Sequence, residues 1–331
     1  MQTSPLVRRR RILPPLILVL AAGAFAQVKL PPPDADGWMK LFRGDNVGDF
    51  FEIYPGANWQ EHLAFPAKKA FDHKGDTITS LGNPGGHVVF KQVFSHYRIQ
   101  YEIMFPGTMG NAGMLLHARE NEEFLDGNHQ FPRSVECQGD YNQGLGELWT
   151  ISKIWVTVRA KGDAANHVYD STAAEVLHGS NVFNSNRRCH MNPDKAVKQS
   201  GVWNKVEAVV NGADSISHYV NGVRVIRYTK IYIDETPRRP LDSGKLAWQS
   251  EGSGVWYRNI RLKLLPGDPL YPTVQAGRPD GQSLGPAPAR KTLLFRDGVL
   301  GFFPADREDG AGADARGREL PRILGETPKA P

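Results

Sequence analysis

Ser95–Phe105 reads SHYRIQYEIMF. Tyr97, Ile99, Tyr101, Ile103 and Phe105 fall on one side of a two-residue period, with Arg98, Gln100 and Glu102 on the other. Such alternation marks a strand with one buried face, because successive side chains leave an extended backbone in opposite directions. The pattern continues on both sides of this stretch. HVVFKQVF (87–94) sets Val88, Phe90 and Phe94 on one face. SISHYVNGVRVIRY (215–228) is two runs about Asn221-Gly222, a hairpin signal because both turn positions need positive φ. GKLAWQSEG (244–252) and VWYRNIRLKLL (255–265) add two more strands. No long helical period competes with these runs, and turn residues punctuate them. Residues 37–265 are therefore expected to form one all-β sandwich of two antiparallel sheets.

The flanks read differently. The chain opens with Arg8–Arg11, an apolar run from Ile12 to Phe25 and the triplet Ala24-Phe25-Ala26. That is the layout of a secretory signal peptide over residues 1–26, with cleavage after Ala26, and the apolar run is too short to span a bilayer. An exported protein, periplasmic or secreted, with no membrane attachment after cleavage, is expected. The formal charge of +5 falls to +1 without the four leader arginines, so the basic pI is no argument for nucleic acid. Residues 27–36 read as a linker around Pro31-Pro32-Pro33. Residues 266–331 contain ten prolines and are expected to be a disordered tail. Within it Leu293–Phe303 (LLFRDGVLGFF) echoes KLFRGDNVGDFF (40–51), and its Leu and Phe side chains suit docking on the sandwich or on a protein partner of unknown identity. Between Trp149 and Trp203 the alternation weakens, and residues 162–201 are expected to be a long polar loop walling the site, with His167, His178 or His190 near it.

The chemistry concentrates on three polar rows. SVECQGD (134–140) places Ser134, Glu136, Gln138 and Asp140 opposite Val135, Cys137 and Gly139. NAGMLLHAR (111–119) places Leu115, His117 and Arg119 on one face, and LAWQSEG (246–252) places Ala247, Gln249 and Glu251 on one face. Each row is either the wet outside of a sheet or a set of groups for sugar hydroxyls, which need donors and acceptors together. Trp149 is a candidate stacking platform for a sugar ring, whereas Trp203 and Trp256 read as core residues. His117, His129 and Glu136 could share a divalent cation, although their spacing matches no strong metal signature. Dinucleotide, Walker, HExxH and CxxC motifs are all missing from the sequence. Cys137 and Cys189 are either a disulfide or buried free thiols.

Taken in series, GWMKLFRGDNVGDF, NAGMLLHAR, SVECQGD, GVWNKVEAVVNGADSISHYVNGVRV and GKLAWQSEGSGVWYRNIRLKLL resemble the 3-keto-disaccharide hydrolase domain family over residues 37–265. The resemblance implies an exported concanavalin A-like jelly roll acting on 3-keto-glycosides. In such a substrate the C3 ketone acidifies the C2 proton, so a base removes it and the C1 oxygen leaves by β-elimination. On this reading Glu136 is the base or a metal ligand, His117 the acid or a second base, and Arg119 or a bound cation the enolate stabiliser. Gln138, Asp140, Gln249, Glu251 and Trp149 hold the sugar. Ser250 and Glu251 stand where many members carry an acid and a histidine. The alternative class is a non-catalytic carbohydrate-binding or adhesion module, since one fold hosts both roles.

Overall fold

The structure is a computed structural model that describes residues 28–53, 61–62, 70–108, 110–119, 132–140, 144–179, 186–191, 197, 200–271, 292–296 and 299–303. In chain order its strands begin with β1 (Met39–Lys40), β2 (Phe50–Ile53), β3 (Glu61–His62), β4 (Phe71–Lys74), β5 (Thr77–Ser80), β6 (Gly86–Phe94) and β7 (His96–Met104). Next come β8 (Ala112–Arg119), β9 (Arg133–Asp140), β10 (Gly144–Ile151), β11 (Ile154–Lys161), β12 (His167–Tyr169), β13 (Glu175–Gly179) and β14 (Asn186–His190). The remainder are β15 (Asn204–Asn211), β16 (Ser215–Val220), β17 (Val223–Ile233), β18 (Arg239–Pro240), β19 (Gly244–Ser250), β20 (Val255–Leu264), β21 (Thr292–Arg296) and β22 (Val299–Phe303).

Two sheets stack into the expected sandwich. The first runs β4-β5-β20-β7-β15-β16-β17-β11-β13. The second runs β3-β2-β6-β19-β8-β9-β10-β14-β12, antiparallel throughout except for the parallel β14–β12 pair. The end of β12 also pairs with β11, which joins the sheets along one edge. Tyr97, Ile99, Tyr101 and Ile103 of β7 point into the space between the sheets, as the alternation of SHYRIQYEIMF requires. They meet Phe90, Trp248, Met114, Val135 and Cys137 from the second sheet. Tyr101 packs edge-on against Trp248 at 6.4 Å, and the Tyr257 hydroxyl donates to the Gln249 carbonyl oxygen at 2.6 Å. Each large apolar side chain buried here contributes about 1.5–3 kcal/mol, so this shared layer is what holds the two sheets in one orientation.

Local chemistry sets the edges of this frame. Asn221 turns the β16–β17 hairpin at φ 48°, and its side chain ties the turn to β15 by accepting from Lys205 N at 2.9 Å. Residues 162–179, expected as loop, instead form β12 and β13, and residues 186–190 form β14. These strands are short and mostly polar, which hid their period in the sequence. Trp203 and Trp256, read as core, are half-buried on the outer face of the first sheet, where Arg258 lies 4.0 Å over the Trp203 ring. Val28 and Leu30, within the expected linker, pack on the core. So do Leu270 and Tyr271, past the expected boundary, while Asp268 accepts from the backbone of Ser95 at 2.7 Å. The 293–303 segment makes the two-stranded β21–β22 hairpin, whose strands pair with one another. Cys137 and Cys189 are free thiols on either side of Leu148. Two strand spacings put them about 9.5 Å apart, beyond the reach of a disulfide.

Candidate active site

The second sheet has a face turned away from the shared core, and the strand registers draw two parallel rows across it. In one, Val89 pairs with Ala247, Ala247 with Leu115, Leu115 with Glu136, Glu136 with Trp149 and Trp149 with Arg188. In the next, His87 lies opposite Gln249, Gly113 opposite Gln138 and Gln138 opposite Glu147, with His190 one residue past the Leu148–Cys189 pair. Half of this face is apolar, since Phe51, Val89, Leu115, Ala118, Ile151 and Ala247 form a second buried cluster on it. The polar half is not a wet outside. Glu136 is 4% exposed, Gln138 4%, Gln249 1% and Glu147 0%.

Glu136 is the centre of this arrangement. A Cβ on Gly113 would lie 2.6 Å from Glu136 Oε1 and 2.8 Å from Gln249 Oε1, so the carboxyl and the amide converge over the bare backbone of β8. Among the described residues Glu136 Oε1 and both polar atoms of the Gln249 amide make no hydrogen bond of good geometry, although the amide lies close enough to favour the charged carboxyl. Burial pushes the Glu136 carboxyl well above the usual carboxylate range, and the nearby charge of Glu251 adds to that; the Gln249 amide and Arg188 pull weakly the other way. A buried, unengaged polar set of this kind costs stability, and such costs gather at sites that bind or react.

Beside it lies a second acid–base cluster. Glu147 accepts from Arg188 Nε and, at 3.1 Å, from His190 Nδ1. Arg188 in turn lies 5.3 Å over the half-buried Trp149 ring. Glu147 reaches this face only because of a bulge. Leu145 belongs to the core, and unbroken alternation would send Glu147 after it; the register shifts between them at Gly146. Gly146 takes φ 96° there, and a Cβ would meet Val225 at 2.6 Å, so a side chain is excluded twice over.

The other expected residues fall as follows. Gln138 lines the row, its Oε1 accepting from Gly139 N at 2.8 Å. Asp140 closes β9 opposite Gly144. Glu251 bridges to Asn111, whose Nδ2 donates to Oε2 at 2.5 Å. His117 is not with Glu136. β8 bulges between Leu116 and Arg119, His117 takes φ 53°, and its ring turns between the sheets, edge-on to Tyr97 at 5.8 Å. Burial lowers its pKa to about 4. Arg119 pairs opposite Arg133 at the far end of β8 and bonds Asp242 at 3.3 Å, away from Glu136. His167 and His178 engage each other, Nδ1 to Nδ1, at 3.0 Å. His129 lies outside the described residues. Among the described residues no group of three or more His, Cys, Asp and Glu is arranged to hold a metal.

Glu147 and Arg188 are the residues sequence reasoning passed over for this cluster, whereas His190 is one of the three histidines expected near it; NRRCH read with a strand period puts Arg188 and His190 on one face. A separate cavity of about 900 Å³ lies against the first sheet, lined by Trp38, Gln100, Glu102, Lys205 and Arg261 beneath residues 29–34. Its Glu102 is held by Arg258 at 2.6 Å, so it offers no acid comparable to Glu136.

Comparison with known proteins comes from three directions. A family model described as 3-keto-alpha-glucoside-1,2-lyase-like domain matches residues 37–263. No curated protein matches. Among solved structures the chain is similar to a "putative glycosyl hydrolase" of Parabacteroides distasonis ATCC 8503, with 18% identity over 70% of this chain and 95% of that one and a TM-score of 0.42. It is also similar to carbohydrate binding module CBM66 of Bacillus subtilis (6% identity, 59% and 92% covered, TM-score 0.37) and to porphyranase B of Zobellia galactanivorans (11%, 71% and 98%, TM-score 0.37).

Proposed function

The chain belongs to the 3-keto-alpha-glucoside-1,2-lyase-like domain family and is a carbohydrate-active jelly-roll domain; from that premise we propose that it cleaves 3-keto-glycosides by removing the C2 proton and eliminating the C1 oxygen. The observation that carries this reading is Glu136, a buried carboxyl with an unengaged oxygen beside the Gln249 amide. Burial favours its protonated form, which suits the acid that donates to the departing C1 oxygen better than the base expected from sequence alone. Gln249 and Gln138 supply donors and acceptors for the hydroxyls, and Trp149 a half-buried ring for the sugar face. Arg188 takes the enolate-facing role first assigned to Arg119, because its charge bears on Glu136 while Arg119 is held by Asp242. Water added across the resulting C1=C2 bond completes a net hydrolysis. Residues 1–26 serve export, so the working form starts at Gln27 and acts outside the cytoplasm.

The test is turnover of 3-keto-trehalose by the mature protein, followed as sugar release. Glu136→Gln should lower kcat by about 10²–10⁴-fold. Turnover of no 3-keto-glycoside, together with tight calorimetric binding of an unoxidised glycan, would instead make the domain a binding module.

A further inference from the structure

The reaction proposed above needs an acceptor for the C2 proton besides Glu136, which is assigned there to the leaving oxygen. On the same face stands an imidazole with the right support. His190 Nδ1 donates to Glu147 Oε1 at 3.1 Å, which leaves Nε2 as the ring's lone-pair nitrogen. The His190 side chain is 22% exposed while Glu147 beneath it is fully buried. A carboxylate that fixes the tautomer and steadies the imidazolium formed on proton uptake is the support a histidine base requires. Arg188 Nε occupies the other Glu147 oxygen, so the carboxylate is braced on both sides. Gln138 and Glu147 are paired neighbours and His190 lies one strand further on. Two strand spacings, about 10 Å, therefore separate the β9 backbone carrying Glu136 from the β14 backbone carrying His190, with Trp149 and Glu147 of β10 between them.

We propose that His190, oriented by Glu147, takes the C2 proton of the 3-keto sugar while Glu136 supplies the proton to the leaving oxygen; this rests on the reaction assigned above. His190 Nε2 forms a bond to the C2 hydrogen, and the C2–H electron pair becomes the C2–C3 enolate with charge on the C3 oxygen. That pair returns to form C1=C2 as the C1–O bond breaks, and the leaving oxygen takes the Glu136 proton. On hydration the imidazolium returns its proton to C2. The water oxygen bonds to C1, and its released proton restores Glu136. Glu147 is a positioning residue throughout.

Two probes separate this proposal from the reaction itself. One is 3-keto-trehalose; the other is 3-keto-1,5-anhydroglucitol, which has no leaving group and reports C2 deprotonation as deuterium uptake from D2O. His190→Asn keeps a donor for Glu147 but has no lone-pair nitrogen, and both turnover and exchange should fall by at least about 100-fold. Glu136→Gln should lose turnover yet keep most of the exchange. In His190→Gly, added imidazole should restore part of both rates, which a merely structural histidine would not allow. Glu147→Gln should lower kcat and exchange together while leaving KM within about threefold of wild type. Exchange by His190→Asn within threefold of wild type, or no imidazole rescue in a folded His190→Gly, overturns the proposal and leaves the reaction standing. A wild type that neither exchanges nor cleaves overturns both.

Discussion

At the scale of single residues, the site turns on side chains held where solvent cannot reach them. Glu136 faces a glycine, and that is a design constraint with a consequence. A methyl group at Gly113 would sit 2.6 Å from Glu136 Oε1 and 2.8 Å from Gln249 Oε1. Both of these are side-chain ends, and the Cys137 carbonyl oxygen at 3.1 Å is the one backbone atom that must give slightly. Gly113→Ala should leave the melting temperature within a few degrees of wild type while lowering kcat on 3-keto-trehalose at least tenfold. Equal kcat with a normal melting curve would mean that the carboxyl–amide contact is not needed for turnover. His117 shows the opposite case, a polar group drawn into packing. Its ring fills the gap beside Tyr97 and is kept neutral by burial, so its alternation with Leu115 and Arg119 in the sequence misled about its face.

At the scale of elements, two bulges redirect whole strands. In β8 the shift between Leu116 and Arg119 sends His117 inward, and in β10 the shift at Gly146 sends Glu147 outward. Period-2 reading presumes an unbroken ladder, and one extra residue inverts every assignment beyond it. The bulge in β10 is testable by stability. Gly146→Ala places a side chain at φ 96° against Val225, which should cost about 1–3 kcal/mol in urea unfolding. Where it folds, turnover should drop as well, since Glu147 and His190 lose their setting. A neutral result would show that β10 can carry Glu147 to this face without a glycine. The three strands between Gly162 and His190 were missed for a related reason: they are only three to five residues long, and β14 gains its place through pairing with β10 rather than through its own pattern.

At the scale of the whole molecule, burial of ionisable groups ties stability to pH in both directions. His117 and His218 are buried and neutral, each with its pKa lowered to about 4, through desolvation first. The unfolded chain binds protons to them from about pH 6.5 downward, so stability is full above that pH and is lost as pH falls towards 4. Glu136 is raised, again by desolvation first, whereas at Glu147 the charges and hydrogen bonds of Arg188 and His190 oppose the same burial. The folded state keeps the Glu136 proton where the unfolded state has lost it, so this contribution is full below about pH 4.5 and declines as pH rises through the folded value. The melting temperature should therefore peak at mildly acidic pH and fall on either side. Glu136→Gln should flatten the alkaline side and leave the acid side unchanged. An alkaline slope identical to wild type would mean that Glu136 is ionised in the native protein.

How much of this was legible beforehand divides along the same physical line. By itself the sequence determined the class of fold, because alternation in stretches such as 95–105 and 215–228 leaves an apolar face that only a second sheet can cover. It also determined that Glu136 and Gln138 share a face opposite Val135 and Cys137, since that depends on one unbroken strand. Which strands lie side by side was decided only by the tertiary structure: β19 between β6 and β8, β14 against β10. That arrangement brings Gln249 to Glu136 across 112 intervening positions and joins His190 to Glu147. Strand neighbours are chosen by the fit of the shared core and by where bulges reset the register, and both are properties of the packed sheets rather than of any one segment.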